Sequence, residues 1–305
     1  MDLKLTNRYI LKGTLIMKTG LHVGSGSVTS ATDNPVIREA SGKPFIPGSS
    51  FKGVLRSTVE KIIPLLTERS GLWTCQLFSE SEGARKCLST PSNQKKLPQL
   101  RDEAEKRTLM SESKVLSKNY KDRDSAITER FILEEYLPDN LCDTCKLFGS
   151  SFVGSKIKVQ DLPICEPYYE IAEIRDGVGI DRDTEVAVDQ AKYDFEVIPS
   201  LSEFQVNIVL EGVSEKELAI FALGIREFTA GCATMGGLSS RGLGACQLEI
   251  EGIEFVDFTN QEHLEQYLIE GKVPDQLSQG ELFDKIKTLL TMKQKGVVSA
   301  ETISE

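Results

Sequence analysis

Pro44-Phe45-Ile46-Pro47-Gly48-Ser49-Ser50-Phe51-Lys52-Gly53-Val54-Leu55-Arg56 is where an irregular, glycine-rich region turns into a helix. Pro47 to Ser50 are good starting residues, because a serine hydroxyl can accept from the N–H groups that a first helical turn leaves without partners. Phe51, Val54, Leu55, Val59, Ile62 and Ile63 then recur at the spacing of one helical face, which predicts an amphipathic helix over 50–63 closed by Pro64. Lys52 and Arg56 lie four residues apart on its polar face, and Ser49 and Ser50 stand at its N-terminus, where N–H groups and the helix dipole favour phosphate. On two charges alone, a solvated face is the simpler reading.

Upstream, Tyr9 to Thr19 alternates, with Tyr9, Leu11, Leu15 and Met17 on one side, and reads as a strand. Leu21-His22-Val23-Gly24-Ser25-Gly26 and a polar loop through Asp33 follow it. Downstream, residues 68–140 carry no sustained apolar period and are rich in charge, Ser, Gln and Asn, which predicts a long, partly helical and partly mobile insertion. A second irregular segment spans 161–200. Order resumes with the strand residues Phe204, Val206, Ile208 and Leu210. A capping box at Ser214 and Glu217 opens a helix that buries Leu218, Phe221, Ile225 and Phe228. Ala245 to Phe255 is a further strand, and the tail from Phe258 holds one or two short helices and a frayed last dozen residues. Strand–helix early and strand–helix–strand late, with long insertions between, describes an α+β, ferredoxin-like βαββαβ domain with enlarged loops.

The formal net charge of −10 speaks against a nucleic-acid binder until its distribution is read. Residues 1–66 hold 9 Lys and Arg against 4 Asp and Glu, a net of +5; residues 201–305 hold 8 against 17, a net of −9. The basic segment can present a local phosphate-binding surface while the acidic part faces solvent or basic partners. No run of about 18 apolar residues exists and the N-terminus lacks a signal-peptide layout, so a cytoplasmic protein without membrane contact is expected.

Cys142-Asp143-Thr144-Cys145 can offer two thiolates to one tetrahedral zinc, each sulfur about 2.3 Å from the metal, and Cys75 and Cys87 are the candidates for the remaining ligands. A redox CxxC would open a helix within a βαβ unit, whereas this one lies in an insertion. Cys165, Cys232 and Cys246 read as buried thiols. Gly236-Gly237-Leu238-Ser239-Ser240-Arg241-Gly242-Leu243-Gly244 lets a backbone approach a phosphodiester, and is equally a plain tight connection. His22 and His263, with no ligand pattern nearby, read as structural or surface residues. Asp33-Asn34-Pro35, taken locally, is an Asx-type turn.

Together, the Leu21–Gly26 stretch, Asp33-Asn34-Pro35-Val36-Ile37-Arg38, the Pro44–Arg56 stretch, Cys142-Asp143-Thr144-Cys145-Lys146-Leu147-Phe148-Gly149 and the Gly236–Gly244 loop resemble the RAMP superfamily. The likeness is greatest to the backbone ribonuclease subunit of type III CRISPR effector complexes, and the Pro44–Arg56 block is its specific part. The resemblance implies an RNA-recognition-like core, discontinuous over 1–67 and 199–257. It implies a lid insertion over 68–160 with structural zinc on Cys75, Cys87, Cys142 and Cys145, a thumb hairpin over 161–198 and a helical tail over 258–305. The implied partners are CRISPR guide RNA, target RNA, and the other backbone and large subunits of the complex. Asp33 would be catalytic, cutting target RNA by 2′-OH attack at the nucleotide that the thumb displaces, with a divalent cation, magnesium or manganese. Ser49, Ser50, Lys52, Arg56, Gly236, Gly237, Ser239, Arg241 and Gly242 would hold RNA. Two alternatives within the superfamily stay open: a non-catalytic guide-RNA scaffold, and a guide-processing endoribonuclease leaning on a histidine, for which only His22 is suitably placed. A zinc-stabilised protein-interaction module is a third.

Overall fold

The computed structural model describes residues 5–28, 32–75, 87–89, 140–165 and 172–291. Most of the expected polar insertion and the last dozen residues, expected to fray, lie outside these. Two compact units are present, one of residues 6–59 and 157–286, the other of residues 60–156 with 1–5 and 287–305. In chain order the elements begin β1 (Asn7–Met17), β2 (Phe45–Ile46), α1 (Gly48–Ser70), α2 (Asp143–Phe148), β3 (Ile157–Val159) and β4 (Leu162–Pro163). They continue β5 (Glu173–Ile180), β6 (Ala187–Val197), β7 (Glu203–Glu211), α3 (Glu215–Thr229), β8 (Cys246–Asp257), α4 (Gln261–Leu268), β9 (Asp275–Leu277) and α5 (Gln279–Thr291). The chain is thus mixed α/β, and its sheets are antiparallel. Five strands form one sheet in the order β3-β7-β1-β8-β9, while β2 pairs with β4 and β5 with β6.

The period-two pattern puts Tyr9, Leu11, Leu15 and Met17 of β1 and Phe204, Val206, Ile208 and Leu210 of β7 in the core. β8 obeys the same rule only after a break. The register passes from Lys12 opposite Gly252 to Gly13 opposite Ile250, so Glu251 is bulged out, and the buried positions change from Cys246 and Leu248 to Ile253. Gly13 is required there, since a Cβ would lie 2.4 Å from the Glu249 carbonyl oxygen. Helices α1 and α3 pack on each other: Phe51 stacks on Phe228 with ring centroids 4.7 Å apart, and Gly224 leaves room for Leu55 and Val59. The capping box forms as expected, Ser214 Oγ accepting from Glu217 N–H and the Glu217 carboxylate accepting from Ser214 N–H. β9 covers the outer edge of β8, a strand that the sequence pattern did not reveal because it is only three residues long.

Three expectations need correction. The first helix does not end at Pro64 but runs on to Ser70. Pro64 is exposed, so water can serve the backbone that its ring unpairs, and Thr67 and Ser70 hydroxyls bond back to Ile63 and Leu66 carbonyls. The segment 161–200, irregular by periodicity, contains the long β5–β6 hairpin. Ile174, Val178, Ile180, Val186 and Val188 are exposed and, among the described residues, only Val197 at its base is buried, so no continuous buried face imposes an alternating pattern. Cys246 is buried, but Cys165 is half-buried and Cys232 is exposed, standing where the chain turns at the end of α3. No helix among the described residues is long and apolar enough to cross a membrane.

Candidate functional site

Asp33 is exposed in a loop that lies along β6. Its N–H donates to Asp194 Oδ1 at 2.6 Å, and Asp194 N–H donates to Asp33 Oδ2 at 3.2 Å. Asn34 forms a parallel bridge with Phe195, its carbonyl accepting from Glu196 N–H at 3.0 Å, and Val36 N–H donates to Glu196 Oε2 at 2.9 Å. Arg38 completes the contact with an ion pair to Glu196, 3.5 Å. The local turn bond belongs to Thr32, whose hydroxyl accepts from Asn34 N–H, and not to Asp33. Hydrogen bonds from the Asp33 N–H and then the Thr32 hydroxyl hold the Asp194 carboxyl below the usual carboxylate range. Asp194 and Glu196 were not legible as partners, because about 160 residues separate them from the loop.

The other face of β6 carries aromatic rings. Tyr193 lies over Gly177, where a Cβ would sit 2.3 Å from the ring, and its hydroxyl accepts from Arg241 of the glycine-rich loop. His22 meets Phe195 edge-on at 5.8 Å, and its Nδ1 donates to the Glu196 carbonyl at 2.7 Å. That loop is tied to the strand side as well. Gly237 N–H donates to the His22 carbonyl and Gly244 N–H to that of Gly20, both at 2.8 Å. Gly236 has φ +77°, and a Cβ there would lie 2.3 Å from the His22 carbonyl oxygen. The Asp33 loop, the base of the β5–β6 hairpin and the Gly236–Gly244 loop therefore converge. Ser239 to Arg241 form one exposed turn of 3-10 helix, followed by Gly242 at φ +89°.

Ser49, Ser50, Lys52 and Arg56 lie together on the first part of α1, with Ser49 exposed and the others half-buried. The N-terminus of that helix already meets a carboxylate, Gly48 N–H donating to Asp161 Oδ1 at 2.8 Å. Lys52 Nζ donates to the Ile157 carbonyl at 3.0 Å, and burial, then the neighbouring Arg56 charge, lowers its pKa.

The second unit holds a different kind of site. Cys75, Cys87, Cys142 and Cys145 are all buried, and their four sulfurs lie within 4.8 Å of one another. Four thiolates around a zinc would have sulfurs about 3.8 Å apart, so the separation suits a tetrahedral ion. Cys142 caps α2, accepting from Cys145 N–H at 3.4 Å, while Cys142 N–H donates to Cys87 Sγ at 3.3 Å; such N–H···S bonds orient thiolate ligands. Hydrogen bonding with Cys142 leads the causes that push the Cys75 thiol up and draw the Cys87 thiol down. Packed sulfurs cannot all ionise together without a cation. Asp143 stitches the segments, its carboxylate accepting from Trp73 N–H at 2.9 Å and its own N–H donating to the Trp73 carbonyl at 3.1 Å. Leu88, Leu141, Val153, Trp73 and Phe152 enclose the cluster.

The family model of the RAMP superfamily matches residues 14–247, and the chain belongs to that superfamily. Among its relatives are proteins named CRISPR system Cms endoribonuclease Csm3. The one from Methanocaldococcus jannaschii is 44% identical over 63 residues, 20% of this chain and 25% of that protein. Its counterpart from Methanothermobacter thermautotrophicus is 39% identical over 62 residues, 19% and 25% of the two chains. That of Enterococcus italicus is 47% identical over 58 residues, 18% and 27%. Each match thus spans about a quarter of the relative's length.

Proposed function

We propose that this chain is a guide-RNA-binding backbone subunit of a cytoplasmic type III CRISPR interference complex, and that it cleaves the target RNA the complex captures. Membership of the superfamily and the names of the relatives support the complex; the clamp on Asp33 is the single observation that carries the cleavage reading. An exposed carboxylate on a wandering turn would be a poor catalyst, but one fastened to a hairpin base presents its oxygens at a set position. In this reading residues 161–198 are the thumb, 68–160 a zinc-bearing lid and 258–305 a helical tail. The core over 1–67 and 199–257, joined by β3 at the end of the lid segment, is ferredoxin-like, which the order β3-β7-β1-β8 and the two connecting helices favour. Ser49, Ser50, Lys52, Arg56, Gly236, Gly237, Ser239, Arg241 and Gly242 grip RNA phosphates without reading sequence, which base pairing supplies.

At a thumb-displaced nucleotide the target 2′-oxygen attacks the adjacent phosphorus and the bond to the 5′-oxygen breaks. A 2′,3′-cyclic phosphate and a 5′-hydroxyl result. The 2′ proton passes to Asp33, and the leaving 5′-oxygen takes its proton from solvent water. Alternatively, Asp33 would hold a magnesium or manganese ion that neutralises charge developing on the phosphate, with solvent taking the 2′ proton.

The test is Asp33→Ala in the assembled complex. Cleavage at regular intervals should fall by about 10²–10⁴-fold with target binding retained. Unchanged cutting would leave the scaffold reading, and specific cutting of repeat RNA by the purified chain alone would favour a guide-processing enzyme. The hydrogen bond that ties His22 to β6 gives that histidine a structural duty, in keeping with the first reading.

A further inference from the structure

Asp33 and Asp194 bond in both directions, and the two bonds are not equivalent. Asp194 donates its main-chain N–H to Asp33 Oδ2, and its side-chain Oδ1 accepts from the Asp33 N–H. The first grips one oxygen of the Asp33 carboxylate and leaves Oδ1 without a protein hydrogen bond among the described residues. The second fixes the backbone from which that carboxylate springs. The register of the loop on β6 then continues through Asn34 and Val36 to Phe195 and Glu196, so an error at residue 33 cannot be absorbed by sliding the loop.

From this geometry we propose that Asp194, on the thumb side of the site, is a positioning residue for Asp33, acting through its side-chain oxygen as a hydrogen-bond acceptor. The proposal rests on the reading of Asp33 as the cleaving residue. It makes the hairpin more than a wedge between paired strands: its base sets the geometry of the group that cuts beside it. A carboxylate is the natural acceptor here because it can reach the Asp33 N–H with either oxygen, and the lowered pKa of Asp194 agrees with that bond. Asparagine would keep an oxygen in the same place, whereas alanine would not.

The experiment uses the assembled complex with guide and target RNA, comparing Asp33→Ala, Asp194→Ala, Asp194→Asn and the double alanine variant for target affinity and for single-turnover cleavage at saturating target. Asp194→Ala should slow cleavage by about 10²-fold, the cost of a small misplacement, with affinity and cleavage interval unchanged. Asp194→Asn should restore most of the rate, and the double variant should be no slower than Asp33→Ala, because both changes act through one group. If Asp33→Ala stops cutting while Asp194→Ala cuts at the wild-type rate, positioning by Asp194 is overturned and the role of Asp33 stands. An Asp194→Asn variant as slow as the alanine would overturn the acceptor role in favour of charge. Loss of target binding or of complex assembly in Asp194→Ala would overturn it in favour of a purely structural one. Wild-type cutting by Asp33→Ala would remove the underlying reading itself.

Discussion

The cysteine centre and the Asp33 clamp both join residues far apart in the chain, by opposite physical means. The four sulfurs are buried under Leu88, Leu141, Val153, Trp73 and Phe152, away from competing water. Asp33 stays exposed, and its order comes from hydrogen bonds along a hairpin strand. Burial decides what each site is for. A metal in the first would serve folding, because it would crosslink Cys75, Cys87 and the Cys142–Cys145 turn. A carboxylate in the second can reach a substrate and contributes little to stability.

Removing one sulfur should therefore have the largest effect on stability. With Cys142→Ser, zinc measured by mass spectrometry should fall from about one per chain to near zero, and residues 60–156 should become open to protease, because structural zinc contributes on the order of 10 kcal/mol. Retained zinc and an unchanged melting temperature would remove the distinction drawn above. Gly236→Ala should come next, costing more than about 1 kcal/mol in urea unfolding, since alanine disfavours the positive φ and would press on the His22 carbonyl. It should also slow cleavage, because Gly236 rests on His22, which bonds to the Glu196 carbonyl of the strand that holds the Asp33 loop. Asp33→Ala should change unfolding free energy by less than about 0.5 kcal/mol while slowing cleavage by about 10²–10⁴-fold, and a large drop in stability would make Asp33 a structural residue. The smallest effect is expected from pH. The folded Asp194 carboxyl lies below its ordinary value, so its contribution is complete above the ordinary carboxylate range and lost only as pH falls through the depressed one. Wild-type and Asp194→Asn rates should run parallel between about pH 5 and 8, and divergence there would place the titration elsewhere.

Much of the fold was legible because burial writes a period into sequence. β1, β7 and α3 each bury one face, and their alternating or helical spacing marks Leu11, Ile208 and Phe228 as core. The hairpin β5–β6 has no continuous buried face to write such a pattern, so periodicity missed its strands and only the resemblance pointed to a hairpin there. Pro64 misled for a related reason: the rule that ends a helix at proline assumes that the unpaired carbonyl has nowhere to go, and at an exposed position water is available. The bulge at Glu251 shifts the inward face of β8 by one residue, which no fixed period can follow.

The sequence by itself determined the class of element at most buried positions, the capping box at Ser214, and the zinc candidates, because Cys142 and Cys145 sit within one turn, Cys75 and Cys87 lie in the same insertion, and thiolates suit zinc. It also marked Asp33, but only through the blocks around it, since its own neighbours describe a turn. Tertiary structure alone decided that Asp194 and Glu196 hold the Asp33 loop, that Arg241 meets Tyr193, and that the Gly236 turn rests on His22. Those contacts depend on the register between distant strands and loops. Register is set by how whole faces pack, a property that no local stretch of residues carries.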